Sequence, residues 1–207
     1  MGEIRYDVRP LDANTRPDFA RLVERHHGVW GGCWCMGFHP EMSRTSADPN
    51  RVEKERRVRA DRPHAALVYD GADCVGWCQF GSAAELPGIK YRRQYDDVAT
   101  APPDWRITCF FVDRRRRGRG IAAAALAGAL NEIARRGGGT VESCPEELDG
   151  WEVSKALPYM HGGPVAMFER HGFARVCRLG KHHLLMKAIV APGARSVAPE
   201  RRDGSPD

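Results

Sequence analysis

The sequence predicts a mixed α/β (α+β) fold in one domain covering residues 1–190. Three observations predict it. Short apolar runs with the two-residue period of strands are interspersed with stretches that keep the 3.6-residue period of helices. The chain has 207 residues, of which 42% are hydrophobic and 29% charged, which suits a globular domain with a real core and not a disordered or fibrous chain. No segment repeats another. The final stretch, APGARSVAPERRDGSPD, has no apolar face, so residues 191–207 read as a disordered tail.

The elements follow in chain order. Arg5–Leu11 (RYDVRPL) alternates and reads as a strand. Arg16–His27 carries Phe19, Leu22 and Val23 at helical spacing. The segment GVWGGCWCMGFHPEMSRTSADPN is too rich in Gly, Pro and Ser for regular structure and reads as a long loop. Pro49–Ala60 is heavily charged, with few apolar residues, and predicts an exposed helix. A hairpin follows, with strands His64–Tyr69 and Cys74–Phe80 joined by a turn at Asp70–Asp73. Glu85–Asp104, interrupted by Pro87, Pro102 and Pro103, reads as irregular.

Arg106–Val112 (RITCFFV) is largely apolar and predicts a central strand. The next helix begins near Gly118, buries Ala122, Leu126, Leu130 and Ile133, and ends at Gly137–Gly139 after Arg135 and Arg136. Thr140–Cys144 reads as a strand and Pro164–His171 as a short helix. A last hairpin pairs Ala174–Leu179 with His183–Val190 around Gly180.

Composition narrows the function classes. A net charge of +5, from 32 basic and 27 acidic side chains, is too mild to imply nucleic acid by itself, though it suits an anionic ligand. Seven cysteines is an odd count with no paired spacing. The N-terminus, MGEIRYDVRP, is polar and charged, with no secretory apolar region, and Tyr6 stands where myristoylation needs Ser or Thr. No apolar run approaches a membrane span. The expectation is a soluble, cytoplasmic protein with reduced thiols and neither membrane nor nucleic-acid partner.

The most informative stretch is FFVDRRRRGRGIAAAAL, Phe110–Leu126. It runs from an apolar strand through four arginines and two glycines into a helix. Free N–H groups at a helix start favour an anion, and glycines let backbone approach it. The spacing is neither the G-x-G-x-x-G of dinucleotide folds nor a G-K-S/T phosphate loop. Val112–Ala122 (VDRRRRGRGIA) resembles the pyrophosphate-binding motif of the GNAT superfamily of acyl-CoA-dependent N-acyltransferases. Met167–Phe173 (MFERHGF) is similar to the family's C-terminal motif, an aromatic followed three residues later by Gly-Phe. With the element order, the resemblance spans residues 3 to 190.

The resemblance implies a GNAT-like, mostly antiparallel central sheet containing a splayed parallel strand pair, flanked by helices. It implies acetyl transfer from acetyl-CoA to an amine. The acceptor is expected to be a small molecule, with a protein or peptide amine, or a non-catalytic CoA-binding module, as the alternatives. Backbone groups of Phe110, Val112 and Phe111 are implied to receive the pantetheine arm. Arg116, Arg117, Gly118, Arg119, Gly120, Ile121 and Ala122 are implied to surround the pyrophosphate. Thr140–Cys144 is implied as the partner strand, and a homodimer is compatible with the family.

The family's frequent tyrosine falls at Phe168, which has no proton to give, so the acid is expected at Tyr159 or His161, or is dispensed with. Glu142 is the leading base candidate, with Glu146, Glu147 and Glu85 behind it. In the loop, Trp30, Trp34, Met36 and Phe38 are expected to wall the acceptor pocket, with His39 or Glu41 as polar anchors, unless they simply close the core. His26, His27, Cys33, Cys35 and His39 are crowded, yet C-x-C is not the usual zinc pairing, and no metal is expected.

Overall fold

The structure, a computed structural model, describes residues 6–62, 64–147 and 160–193. The first strand, β1 (Asp7–Pro10), leads through helix α1 (Arg16–Arg25) and a long loop to helix α2 (Ala47–Arg59). Strands β2 (His64–Asp70) and β3 (Asp73–Ser82) form the expected hairpin. A short helix α3 (Arg92–Asp96) precedes β4 (Trp105–Val112). Helix α4 (Ile121–Arg135), β5 (Gly139–Ser143), the short α5 (Val165–Glu169), β6 (Ala174–Leu179) and β7 (His183–Val190) complete the order. Among the described residues, no helix is long and apolar enough to cross a membrane.

The strands form one sheet in the order β1-β2-β3-β4-β5-β7-β6. Neighbours are antiparallel except β4 and β5, which are parallel. That pair is short: Trp105, Arg106 and Ile107 face Val141, Glu142 and Ser143, and the register then stops although β4 continues to Val112. The physical cause lies on the other edge of β4. Gln79 pairs with Cys109 and Phe80 with Ile107, so Thr108 is an extra residue, and such a bulge bends its strand. It also resets the alternation. Ile107 and Phe110, three apart, reach one core, while Cys109 and Phe111 reach the other.

Two cores therefore sandwich the sheet. In one, Leu126 and Ile133 of α4 cluster with Ala66, Cys78, Phe110 and Phe168. On the opposite face, α1 and the long loop deliver Phe19, Leu22, Trp34 and Met36 against Trp77 and Phe111. Small residues let α4 lie close to the sheet. A Cβ at Gly128 would stand 2.3 Å from Val8 Cγ1. Gly128→Leu is therefore expected to destabilise the fold by about 1–3 kcal/mol in urea unfolding, since overpacking forces backbone shifts.

Three elements differ from the sequence expectation. Helix α2 is not simply exposed: Asn50, Lys54, Arg57 and Val58 are buried. Asn50 donates to the carbonyls of Gly32 and Ser43, and Arg57 pairs with Glu41 and Glu53. Helix α3 sits within a segment read as irregular, and at five residues it is too short to show a period. The helix after the arginine run begins at Ile121 instead of near Gly118, because Arg114–Arg116 form a 3₁₀ turn first. Residues 194–207 of the expected tail lie outside the described residues.

Candidate active site

The turn from β4 into α4 makes the first half of the site. Asp113 caps the 3₁₀ turn by accepting from the Arg115 N–H at 3.0 Å. Gly118 (φ +75°) and Gly120 (φ +79°) then take left-handed backbone that favours glycine. A Cβ at either position would meet no atom within 4 Å, so both glycines face open space. Gly120 is the N-cap of the fifteen-residue α4 and supplies no capping side chain. The first N–H groups of α4 are thus left for an anion.

That open space is a cleft of about 380 Å³, lined by Arg117, Gly118, Gly120, Ile121, Ala122 and Arg170, with Phe110, Phe111 and Val112 along its floor. Met160, Gly163 and Pro164 form its far wall. Arg116 and Arg119 do not line it. Arg116 pairs with Asp70 and lies 3.8 Å from Asp73, while the Arg119 carbonyl accepts from Tyr6. Where β4 leaves β5, the Phe110 N–H donates to the His161 carbonyl at 2.6 Å. Strand alternation puts the Val112 peptide on that same edge and the Phe111 peptide toward β3.

A second cavity of about 380 Å³ lies on the other side of this point. Trp30, Cys33, Phe38, Met42, Ile89 and Lys90 line it, with Arg44, Cys109 and His161. Trp30 belongs to both cavities, and the consecutive pairs Phe110/Cys109 and Met160/His161 divide them. The His161 ring lies edge-on between Trp30 and Phe38, at 5.9 and 5.7 Å. The loop reaches this position through left-handed turns at His27, Val29, Trp30, Trp34 and Cys35. Such backbone costs roughly 1–3 kcal/mol per residue and persists where surrounding packing enforces it.

Behind His161 sits a polar cluster. Glu146 Oε1 is 3.8 Å from His161 Nδ1, 3.8 Å from Lys90 Nζ and 3.6 Å from His183 Nε2. Lys90 Nζ also approaches His183 Nε2 at 3.0 Å. Burial, and then the Lys90 ammonium, push His161 down to about 4, with Glu146 opposing. The imidazole is therefore neutral at neutral pH. Glu146 Oε2 and His161 Nδ1 are buried without hydrogen-bond partners among the described residues.

Glu142 occupies a small adjoining chamber with Tyr95, Arg106 and Lys90. Its Oε2 accepts from Tyr95 at 2.8 Å, its Oε1 lies 3.5 Å from Lys187, and it is 4% exposed. Glu85 accepts from Ser82, and Glu147 pairs with Arg175 and Arg178, away from both cavities. Tyr159 lies outside the described residues. Phe168 is fully buried against Phe110 and Phe173.

The loop residues divide. Trp30 and Phe38 line the second cavity, whereas Trp34 and Met36 are buried in the core. His39 is also internal: Nε2 meets Gln79 at 2.7 Å and Nδ1 meets the Glu85 carbonyl at 2.9 Å. Glu41 is paired with Arg57. Cys35 lies against Trp77 and Gln79, and His26 reaches Asp113 at 3.5 Å. Among the described residues, no three His, Cys, Asp or Glu side chains converge to hold a metal ion.

Burial, then Lys54 and Arg57, push His39 down to about 2. Both His39 and His161 therefore bind fewer protons folded than unfolded once the pH falls below about 6.5. Unfolding free energy should fall on acidification below that point, by up to about 1.4 kcal/mol per pH unit for each histidine. Urea titrations from pH 7 to 5 should show this slope, and His39→Gln should reduce it.

The model of the acetyltransferase (GNAT) family matches residues 27–149, more than half of the chain. The chain belongs to the GNAT acetyltransferase family. Its members are acyl-CoA-dependent N-acetyltransferases, and the cleft fits such a donor: an uncapped helix start, open glycines and two guanidinium groups. No curated protein matches the sequence. Among solved structures, a Desulfovibrio desulfuricans protein assigned to the GNAT family aligns at TM-score 0.51 and 16% identity, covering 90% of this chain and 100% of its own. A Corynebacterium glutamicum structure described as histone acetyltransferase HPA2 and related acetyltransferase aligns at TM-score 0.51 and 16% identity, covering 94% and 100%. At this identity the likeness establishes a shared fold. Arg44, Lys90, Tyr95, Met160, Gly163 and Arg170 were not identified from the sequence. Only Arg170 had a signal, as a member of the MFERHGF motif.

Proposed function

We propose that the protein transfers an acetyl group from acetyl-CoA to the amine of a small molecule by direct attack on the thioester. The observation that carries this reading is the meeting of the two cavities at Trp30, where Phe110 faces one and Cys109 the other. A volume of about 380 Å³ on the acceptor side is of small-ligand size. All seven cysteines are free, which suits a reducing compartment, and our reading places the protein in the cytoplasm.

Acetyl-CoA supplies the acyl group already activated as a thioester. Arg117, Arg170, Gly118, Gly120 and the α4 N–H groups of Ile121 and Ala122 receive the pyrophosphate. The edge of β4 at Phe110 and Val112, turned away from β3, receives the pantetheine arm, and the Phe110 N–H exchanges the His161 carbonyl for the donor. The Phe110 N–H, now donating to the His161 carbonyl, is the main-chain donor that polarises the acyl carbonyl. The neutral His161 imidazole takes the proton that the amine loses, and Glu146, 3.8 Å from Nδ1, balances the charge that forms. Glu142 already accepts from Tyr95 and faces Lys187 in the adjoining chamber, so we assign it to holding Tyr95 in place there. No acid is required for a thiolate leaving group, in keeping with Phe168.

Incubation with acetyl-CoA and candidate amines, followed by thiol titration, tests this reading. Amine-dependent CoA release is expected. CoA release equal with and without every amine would contradict it.

A further inference from the structure

The lining of the acceptor-side cavity is asymmetric in charge. Among the described residues it carries two cations, Arg44 and Lys90, and no carboxylate. Lys90 shares Glu146 with two histidines. Arg44 has no carboxylate partner among the described residues and is exposed at the cavity wall. Glu41, the nearby loop carboxylate, is already paired with Arg57 at 2.6 Å. Trp30, Phe38, Met42 and Ile89 make the apolar part of the lining, with His161 at its inner side.

From this we infer that the acceptor is an amine that also carries an anionic group on an apolar body, of the kind an apolar amino acid presents. The inference rests on the acetyl-transfer reading above and specifies its substrate class. The guanidinium of Arg44 takes the carboxylate, for which its planar fork is suited. The apolar side chain lies against Trp30, Phe38 and Met42. The amine then points inward to His161, beside the thioester end of the donor cleft. A polycationic acceptor, such as a polyamine or an aminoglycoside, would face Arg44 and Lys90 with no described carboxylate in the lining to receive it. Like charges brought together without a counter-ion disfavour binding.

The test compares L-phenylalanine, L-methionine and L-leucine with their decarboxylated amines, and with spermidine and kanamycin. The readout is N-acetyl product by mass spectrometry at fixed acetyl-CoA, giving kcat/KM. Each amino acid should exceed its decarboxylated partner by about tenfold or more. Arg44→Ala should bring that ratio close to one, acting through KM more than kcat, and Arg44→Lys should keep part of it. Equal or faster turnover of the decarboxylated amines, spermidine or kanamycin would overturn the inference while leaving acetyl transfer standing. So would a preference for the amino acids that survives Arg44→Ala. Failure of acetyl-CoA to bind at all, read separately by thermal shift, would overturn acetyl transfer itself and the inference with it.

Discussion

Gly120→Glu should abolish acetyl-CoA binding. Gly120 precedes an α4 start that lacks a capping side chain, and its missing Cβ faces open cleft. A glutamate there places bulk in the proposed pyrophosphate position and a negative charge against the helix-start N–H groups. The expected result is a Kd for acetyl-CoA at least about a hundredfold weaker, and loss of the melting-temperature rise that a ligand bound to the folded state produces. The φ of +79° also strains any side chain at this position, so Gly120→Ala is the control. It carries the same backbone strain without the charge, and it should melt like Gly120→Glu yet keep most of its affinity. Arg117→Ala should weaken binding by roughly tenfold through loss of one phosphate contact. Unchanged affinity in a folded Gly120→Glu protein would remove the pyrophosphate from this turn.

His161→Ala is expected to lower kcat by about a hundredfold or more, the usual range for a lost general base. The substitution is informative because the contact with Phe110 is made by the His161 main chain, so it survives a change of side chain. With the imidazole held near 4, its protonation does not limit the rate between pH 5 and 8. The rise in rate across that window should therefore follow the acceptor amine, in the wild type and the variant alike. Added imidazole should restore part of the lost rate. Glu142→Gln should cost less than tenfold, because the amide oxygen still accepts from Tyr95. A larger loss in Glu142→Gln than in His161→Ala would transfer the base to Glu142.

Much of this architecture could be read before any coordinates. The last hairpin, the central strand and the arginine–glycine turn have strong local signals: alternation, an apolar run, and glycines flanking cations. The positions of Gly118, Gly120, Ile121 and Ala122 around a cleft follow from such local chemistry. The cavity proposed for the acceptor was legible only in part. Trp30 and Trp34 look alike in sequence, and only the left-handed turns of the loop send one to the cavity mouth and the other into the core. Lys54 and Arg57 read as solvated, since nothing in a charged helix announces that Cys35 and Glu41 wait opposite. Lys90 and Tyr95 come from a stretch with no period at all, and long-range packing alone brings them to His183 and Glu142.

In the proposed reaction an acetyl group passes between the two cavities that meet at Trp30. A single-turnover experiment with stoichiometric acetyl-CoA and an acceptor tests it most directly, with CoA thiol and N-acetyl product quantified in the same sample. Equal amounts of both are expected, appearing together, with the acetyl group on the acceptor nitrogen. Tight acetyl-CoA binding with no amine-dependent product, across anionic, neutral and cationic amines, would contradict it and leave a protein that only binds the thioester.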